Sequence, residues 1–142
     1  MIEVLNLLQF EYVNYKYFKN IIYKMKKTIC FDIDNTICKT IKSDYKNSTP
    51  IIKNIKCINN LYDQGHIIKI FTARYMGRTN DNVTEARKKA KKITLSQLKK
   101  WNVKFHKIYF GKPSSDFYID DKNLNFKSNW ASQLKSLIKK IN

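Results

Sequence analysis

Four short apolar runs, separated by stretches with helical spacing, constrain this chain more than any other feature. Thr28 to Ile33 (Thr-Ile-Cys-Phe-Asp-Ile) reads as a short buried strand. His66 to Ala73 holds a second strand around Ile67-Ile68-Lys69-Ile70-Phe71, His106 to Phe110 a third, and Phe117 to Ile119 a fourth. After the first strand, the polar stretch Cys38 to Ser48 reads as a loop or small flap. Thr49-Pro50 then predicts an N-cap followed by proline in the first helical position. Ile51, Ile52, Ile55, Ile58, Leu61 and Tyr62 continue at helical spacing until Gly65 ends the helix. Further on, Val83, Ala86, Ala90 and Ile93 form one apolar stripe. Thr94-Leu95-Ser96-Gln97 reads as a capping box that opens another helical segment through Leu98 and Trp101. The tail, Trp130 to Ile141, carries Leu134, Leu137, Ile138 and Ile141 on one helical face. Strands alternating with helices predict an α/β sandwich with a mainly parallel sheet.

In such sheets a ligand binds beyond the carboxyl ends of the strands. Polar residues stand at those ends here: Asp32 and Asp34 after the first, Thr72 at the second, Lys112 just past the third, and Asp120 with Asp121 after the fourth. Phosphoryl transfer to a carboxylate needs this set: a nucleophile, a proton shuttle, a cation against clustered negative charge, and donors for phosphoryl oxygens. Asp32 is placed to attack phosphorus, and Asp34 to protonate the leaving group and later to activate water. Four carboxylates in one site require a hard cation, and Mg²⁺ accepts carboxylate and phosphate oxygens. Thr72 offers a hydroxyl and Lys112 a fixed charge to the phosphoryl group. Taken singly, each motif is weak, since Asp and Asn-Thr are common in turns and one lysine carries little information in a chain this rich in lysine. Their order and shared placement at strand ends carry the reading.

Four segments carry a family resemblance: Phe31-Asp32-Ile33-Asp34-Asn35-Thr36-Ile37, Phe71-Thr72-Ala73-Arg74, Gly111-Lys112-Pro113 and Tyr118-Ile119-Asp120-Asp121. They resemble the four ordered motifs of the haloacid dehalogenase superfamily, over residues 28 to about 126. The resemblance implies a Rossmann-like three-layer sandwich and a Mg²⁺-dependent hydrolase of phosphate monoesters that works through an aspartyl phosphate. Position by position, it implies Asp32 as nucleophile and metal ligand, and Asp34 as acid/base that lends its main-chain carbonyl to the metal. Thr72 and Lys112, with Asn35 and Ala73 beside the motif residues, would bind the phosphoryl group. Asp120 would ligate the metal directly, and Asp121 directly or through water. An aspartate at position 34 favours phosphatases over relatives with other chemistries. Within the superfamily, Leu61 to His66, Thr72 to Arg78 and Phe110 to Asp116 are similar to small phosphatases encoded among bacterial capsular-polysaccharide genes. That likeness implies a phosphorylated sugar or polyol as substrate.

Neither the span between Asp34 and Thr72 nor that between Thr72 and Lys112 has room for a separate cap domain. The site is therefore expected to be open, suited to a large substrate or to a lid supplied by a second subunit of a homo-oligomer. Tyr45 in the flap, with Arg74, Tyr75 and Arg78 after the second strand, are candidates for contacts to the leaving group. The alternatives are that both arginines are surface or salt-bridging residues and that Tyr45 packs the flap. His66 and His106 are read as turn and strand-start residues, not catalytic ones.

The net charge of +17 suits anionic substrates. Only Arg74, Arg78 and Arg87 are arginine among 28 basic residues, however, and Asn, Ile and Tyr are abundant, as AT-rich codon use produces. Nucleic-acid readers invest in arginine, so a nucleic-acid end phosphatase is the second expectation and a non-catalytic binding module the third. Cys30, Cys38 and Cys57 have no metal or disulfide spacing and predict a reduced, cytoplasmic protein. No apolar run is long enough for a membrane span. Residues 1–24 read as an extension of unknown role, with Met25 a natural alternative start, and residues 25–142 as the phosphatase domain.

Overall fold

The strand Ile67-Ile68-Lys69-Ile70-Phe71-Thr72, rich in β-branched residues, forms the centre of a parallel sheet in the computed structural model, which describes residues 26–114 and 129–141. The extension 1–24, the expected fourth strand at Phe117–Ile119, and Asp120 and Asp121 lie outside the described residues. In chain order the elements are β1 (Thr28–Phe31), β2 (Cys38–Lys39), β3 (Thr49–Pro50), α1 (Ile52–Asp63), β4 (Ile67–Thr72), α2 (Val83–Lys100), β5 (Lys107–Phe110) and α3 (Trp130–Ile141). A single 3₁₀ turn, Gly77–Thr79, lies between β4 and α2.

β4 is flanked by β1 and β5, both parallel to it. The register runs from Thr28 beside Ile67 to Phe31 beside Ile70, and from Lys69 beside Lys107 to Thr72 beside Phe110. All three strands thus finish at one edge of the sheet. This is the mixed α/β, Rossmann-like arrangement that the alternation predicts. The crossover from β1 to β4 holds the flap and α1, and that from β4 to β5 holds the 3₁₀ turn and α2. Neither contains an inserted domain.

One core unites the layers. Ile68 and Ile70 of β4 and Ile33 after β1 are fully buried. α1 contributes Ile55, Ile58 and Leu61, α2 contributes Leu98, and α3 contributes Trp130, Leu134 and Ile138. Trp130 stacks on Phe31 with ring centroids 5.4 Å apart. α2 meets the sheet through Ala86, Ala90, Thr94 and Leu98, four residues each one helical turn apart, whose small first pair permits close approach.

Two local expectations are corrected. Thr49-Pro50 does not open α1 but pairs antiparallel with Cys38–Lys39 as the second strand of the flap, and the helix begins after Ile51 with no side-chain cap. Proline lacks an N–H and is tolerated on so short an edge. The Thr94–Gln97 segment does not start a new helix either, because α2 runs unbroken from Val83 to Lys100. Its true N-cap is Asn82, whose Oδ1 accepts the Glu85 N–H. Both α1 and α2 end in the same way. Gly65 (φ +86°) and Asn102 (φ +53°) take the left-handed conformation. The next N–H in each case, His66 and Val103, reaches back to the carbonyls of Leu61 and Leu98.

Candidate active site

The backbone beyond β1 tightens at once. The Ile33 carbonyl accepts the N–H groups of Thr36, Ile37 and Cys38, and Asn35 adopts a φ of +63°. Ile33 faces the core, so the acids on either side of it, Asp32 and Asp34, face away from the core together. Both stay partly exposed, at 31% and 21% of their side chains.

Asp32 is paired across the sheet edge. Lys112, two residues past β5, brings Nζ to 3.6 Å from Asp32 Oδ1. Its main-chain N–H donates to the Thr72 carbonyl at the end of β4, which fixes where the lysine leaves the sheet. Burial pushes the Asp32 carboxyl above the usual carboxylate value. The Lys112 charge and the Ile33 N–H pull it back, and the neighbouring Asp34 raises it further. Thr72 is fully buried, and its Oγ1 accepts the Arg74 N–H at 3.2 Å. A hydroxyl that accepts in this way still has a proton to donate. Asn35 is exposed in the turn and Ala73 half-buried after β4, so the strand-end residues Asp32, Asn35, Thr72, Ala73 and Lys112 gather at one edge.

Arg74 is placed differently from the rim position expected of it. The residue is 2% exposed. Its guanidinium faces Asp34, with Nε donating to both carboxylate oxygens at 3.1 and 3.0 Å and Nη2 to Oδ1 at 2.9 Å. On the other side Nη1 donates to Gln97 Oε1 at 2.7 Å and to Thr94 Oγ1 at 3.3 Å. The backbone explains the inward turn: Tyr75 has a φ of +66°, which bends the chain sharply after β4. Arg74 therefore binds Asp34 and cannot also reach a leaving group from solvent. Thr40 Oγ1 donates to Asp34 Oδ1 as well, at 2.6 Å. Cys38 lies in the same cluster with its thiol pushed up by burial, 3.6 Å from Arg74 Nη2.

The flap closes over this cluster. Gln97 Nε2 donates to the Tyr45 carbonyl at 2.6 Å. The Tyr45 ring lies 5.0 Å from that of Tyr75, with Arg74 at 5.2 Å on it and Arg78 at 5.3 Å. Tyr45 thus packs the flap, as one of the two readings of it allows. Arg78 is exposed and donates to the Ser43 carbonyl at 3.0 Å, while Tyr45 and Tyr75 are half-buried, so of the four rim candidates Arg78 alone is exposed. Thr94 and Gln97, which the sequence reading had assigned to a cap, belong to the site's supporting network. The available signal was a threonine inside an otherwise apolar helical stripe.

As to a metal, the described donors are the Asp32 carboxylate and the Asp34 main-chain carbonyl, because the Asp34 carboxylate is taken up by Arg74. Both are hard oxygens of the kind Mg²⁺ prefers. Among the described residues no group of three or more His, Cys, Asp or Glu side chains is clustered to hold a metal, and Asp120 and Asp121 lie outside them.

No protein-family model and no curated protein matches the chain. Among solved structures it is similar to a crystal structure of a structural-genomics target from Vibrio cholerae, with a TM-score of 0.70 and 29% identity. The match covers 82% of this chain and 99% of that one. The likeness thus spans a whole protein of the same α/β build, and the description of that target names no activity.

Proposed function

We propose that this chain hydrolyses phosphate monoesters with Mg²⁺ as cofactor and Asp32 as nucleophile. The observation that carries the reading is the Asp32–Lys112 pair, 3.6 Å apart across the strand ends that flank Thr72. An Asp32 oxygen attacks phosphorus while the ester P–O bond breaks, and Asp34 gives its proton to the departing oxygen. Asp34 then takes a proton from water, which attacks the phosphorus of the aspartyl phosphate. The bond to Asp32 breaks, phosphate leaves and the carboxylate is restored. Lys112 and Thr72 hold phosphoryl oxygens throughout. A bound Mg²⁺ supplies positive charge against the carboxylates and the phosphoryl group, held by Asp32, the Asp34 carbonyl and, in this proposal, Asp120 and Asp121. The motif resemblance points to a phosphorylated sugar or polyol of capsule or surface-polysaccharide synthesis. The unpaired cysteines among the described residues suit the reducing cytoplasm, and no described helix is long and apolar enough to cross a membrane.

The test is phosphate release from an aryl phosphate with Mg²⁺. Excess EDTA is expected to abolish it, and Asp32→Asn to lower kcat by about a thousandfold or more with the fold intact. Full activity in EDTA would overturn the metal requirement, and substantial activity of the Asp32→Asn variant would overturn the mechanism.

A second reading, a nucleic-acid end phosphatase, rests on the exposed basic face of α2. Arg87, Lys88, Lys91 and Lys92 line a shallow concavity there with Thr84 and Leu95. Salt separates the two readings: affinity for a polynucleotide end falls steeply with ionic strength, and that for a sugar phosphate only mildly.

A further inference from the structure

Resting on the phosphatase reading, we propose that Arg74 is a positioning residue whose purpose is to fix the carboxylate of Asp34 for proton transfer. Nothing in the phosphoryl site itself requires a fully buried arginine. Burying a guanidinium is costly unless every face of it is matched, and here each face is. The fork of Nε and Nη2 grips Asp34, while Nη1 reaches Gln97 and Thr94 on α2. A planar guanidinium joined to a carboxylate by two N–H groups along one edge sets the orientation of that carboxylate as well as its distance, which a lysine cannot do. Thr40 completes the setting from the flap at 2.6 Å. Asp34 is thus held by Arg74, just beyond β4, and by Thr40 of the flap, while α2 braces the arginine.

The arrangement also fixes the shape of the machinery around it. Gln97 joins the guanidinium to the flap, accepting from Arg74 Nη1 and donating to the Tyr45 and Lys46 carbonyls at 2.6 and 3.3 Å. Ser48 lies 2.8 Å from Thr40 Oγ1 and 3.5 Å from Arg74 Nη2, which joins the flap's second strand to the same cluster. An error in the placement of an acid/base group costs rate even when substrate still binds. Arg74 therefore acts on kcat through Asp34 and leaves the phosphoryl-binding residues alone.

Steady-state kinetics on two substrates test this, phenyl phosphate, which needs its leaving oxygen protonated, and 2,4-dinitrophenyl phosphate, which does not. Arg74→Met is expected to lower kcat/KM, which reports only the steps up to departure of the leaving group, about ten- to a hundredfold on phenyl phosphate, since acid/base assistance is worth about a hundredfold or more in full. The loss on the dinitrophenyl ester is expected to be smaller. In the Asp34→Asn background, Arg74→Met is expected to cost little further on either ester, because its target is gone. Should Arg74→Met fail to fold, Arg74→Lys carries the same comparison with a buried cation retained. Equal losses on both esters, or losses that multiply in the double variant, overturn the inference and leave the phosphatase reading standing. A wild-type protein that releases no phosphate from either ester with Mg²⁺ overturns both.

Discussion

Two histidines at the amino-terminal ends of β4 and β5, across the sheet from the candidate site, serve as hydrogen-bond acceptors. His66 Nδ1 accepts the Lys27 N–H at 3.1 Å, and His106 Nδ1 accepts the Ile68 N–H at 3.0 Å. A protonated Nδ1 cannot accept, so the Lys27 bond requires the His66 ring to be unprotonated at that nitrogen. Burial, helped by the Lys27 charge, lowers the His66 pKa from its ordinary 6.5. The folded state then binds fewer protons than the unfolded chain between the lowered value and 6.5. The stabilisation is complete above that window and is lost as pH falls through it. A melting series from about pH 7.5 to about pH 5.5 is expected to show falling stability in the wild type and a flatter profile in His66→Asn, which keeps an acceptor without a titrating ring. An identical profile in both would remove His66 as the source. Asp32, Thr72 and Lys112 were legible in the sequence because strand ends and residue chemistry are local properties. The role of Arg74 was not, because its partners Asp34, Thr94 and Gln97 lie 40, 20 and 23 positions away. Spacing along a chain says nothing about which side chain meets which across a sheet.

Gly111 shows how one element constrains another. It follows β5 with a φ of +100°, and a Cβ there would lie 2.7 Å from Val83 Cγ1 at the start of α2. Backbone freedom and empty space are both required, and the next residue is Lys112. Gly111→Ala is expected to cost about 1–3 kcal/mol, measured by denaturant unfolding, and to lower phosphate release by displacing Lys112 from Asp32. Adding Val83→Ala removes the clash but leaves the backbone strain, so partial recovery is the expected result. No loss in the single variant would contradict this packing. The elements themselves were readable where propensity, period and caps agreed, as in β4, α1 with its Gly65 stop, and α3. They were misread where a polar side chain has a tertiary purpose. Thr49 looked like a cap but lies in a strand of the flap, and Thr94 and Gln97 looked like a capping box but face Arg74 from mid-helix.

At the scale of the molecule, the order β1-β4-β5 puts the candidate-site strand ends side by side, with no domain inserted in either crossover among the described residues. Alternating patterns foretold that architecture because a parallel sheet needs a helix in each crossover. The charge of the chain was legible as a number and not as a surface. The helical register of α2 sets Ala86, Ala90, Thr94 and Leu98 inward and leaves Arg87, Lys88, Lys91 and Lys92 exposed. Under the phosphatase proposal, the positive field beside the site favours phosphorylated compounds of many sizes, so selectivity has to come from contacts at the rim, where Arg78 stands.

The inward turn of Arg74 has a consequence for the time course of folding. Its bonds join chain segments that become neighbours only after β1 and β4 have paired across an intervening flap and helix. Such distant closure comes at an entropic cost that local contacts do not carry. The guanidinium sheds its water only when Asp34, Gln97 and Thr94 are all in place, so the site is expected to assemble after the rate-limiting step. Arg74→Lys is therefore expected to speed unfolding while leaving the refolding rate within about twofold, whereas a trimmed core residue such as Ile70→Val in the central strand slows refolding. Stopped-flow refolding and unfolding in denaturant distinguish these, and slower refolding of the Arg74 variant would place the cluster in the nucleus. If refolding is unchanged as expected, catalytic competence marks the end of folding, and activity assayed during refolding lags behind the burial of the tryptophans.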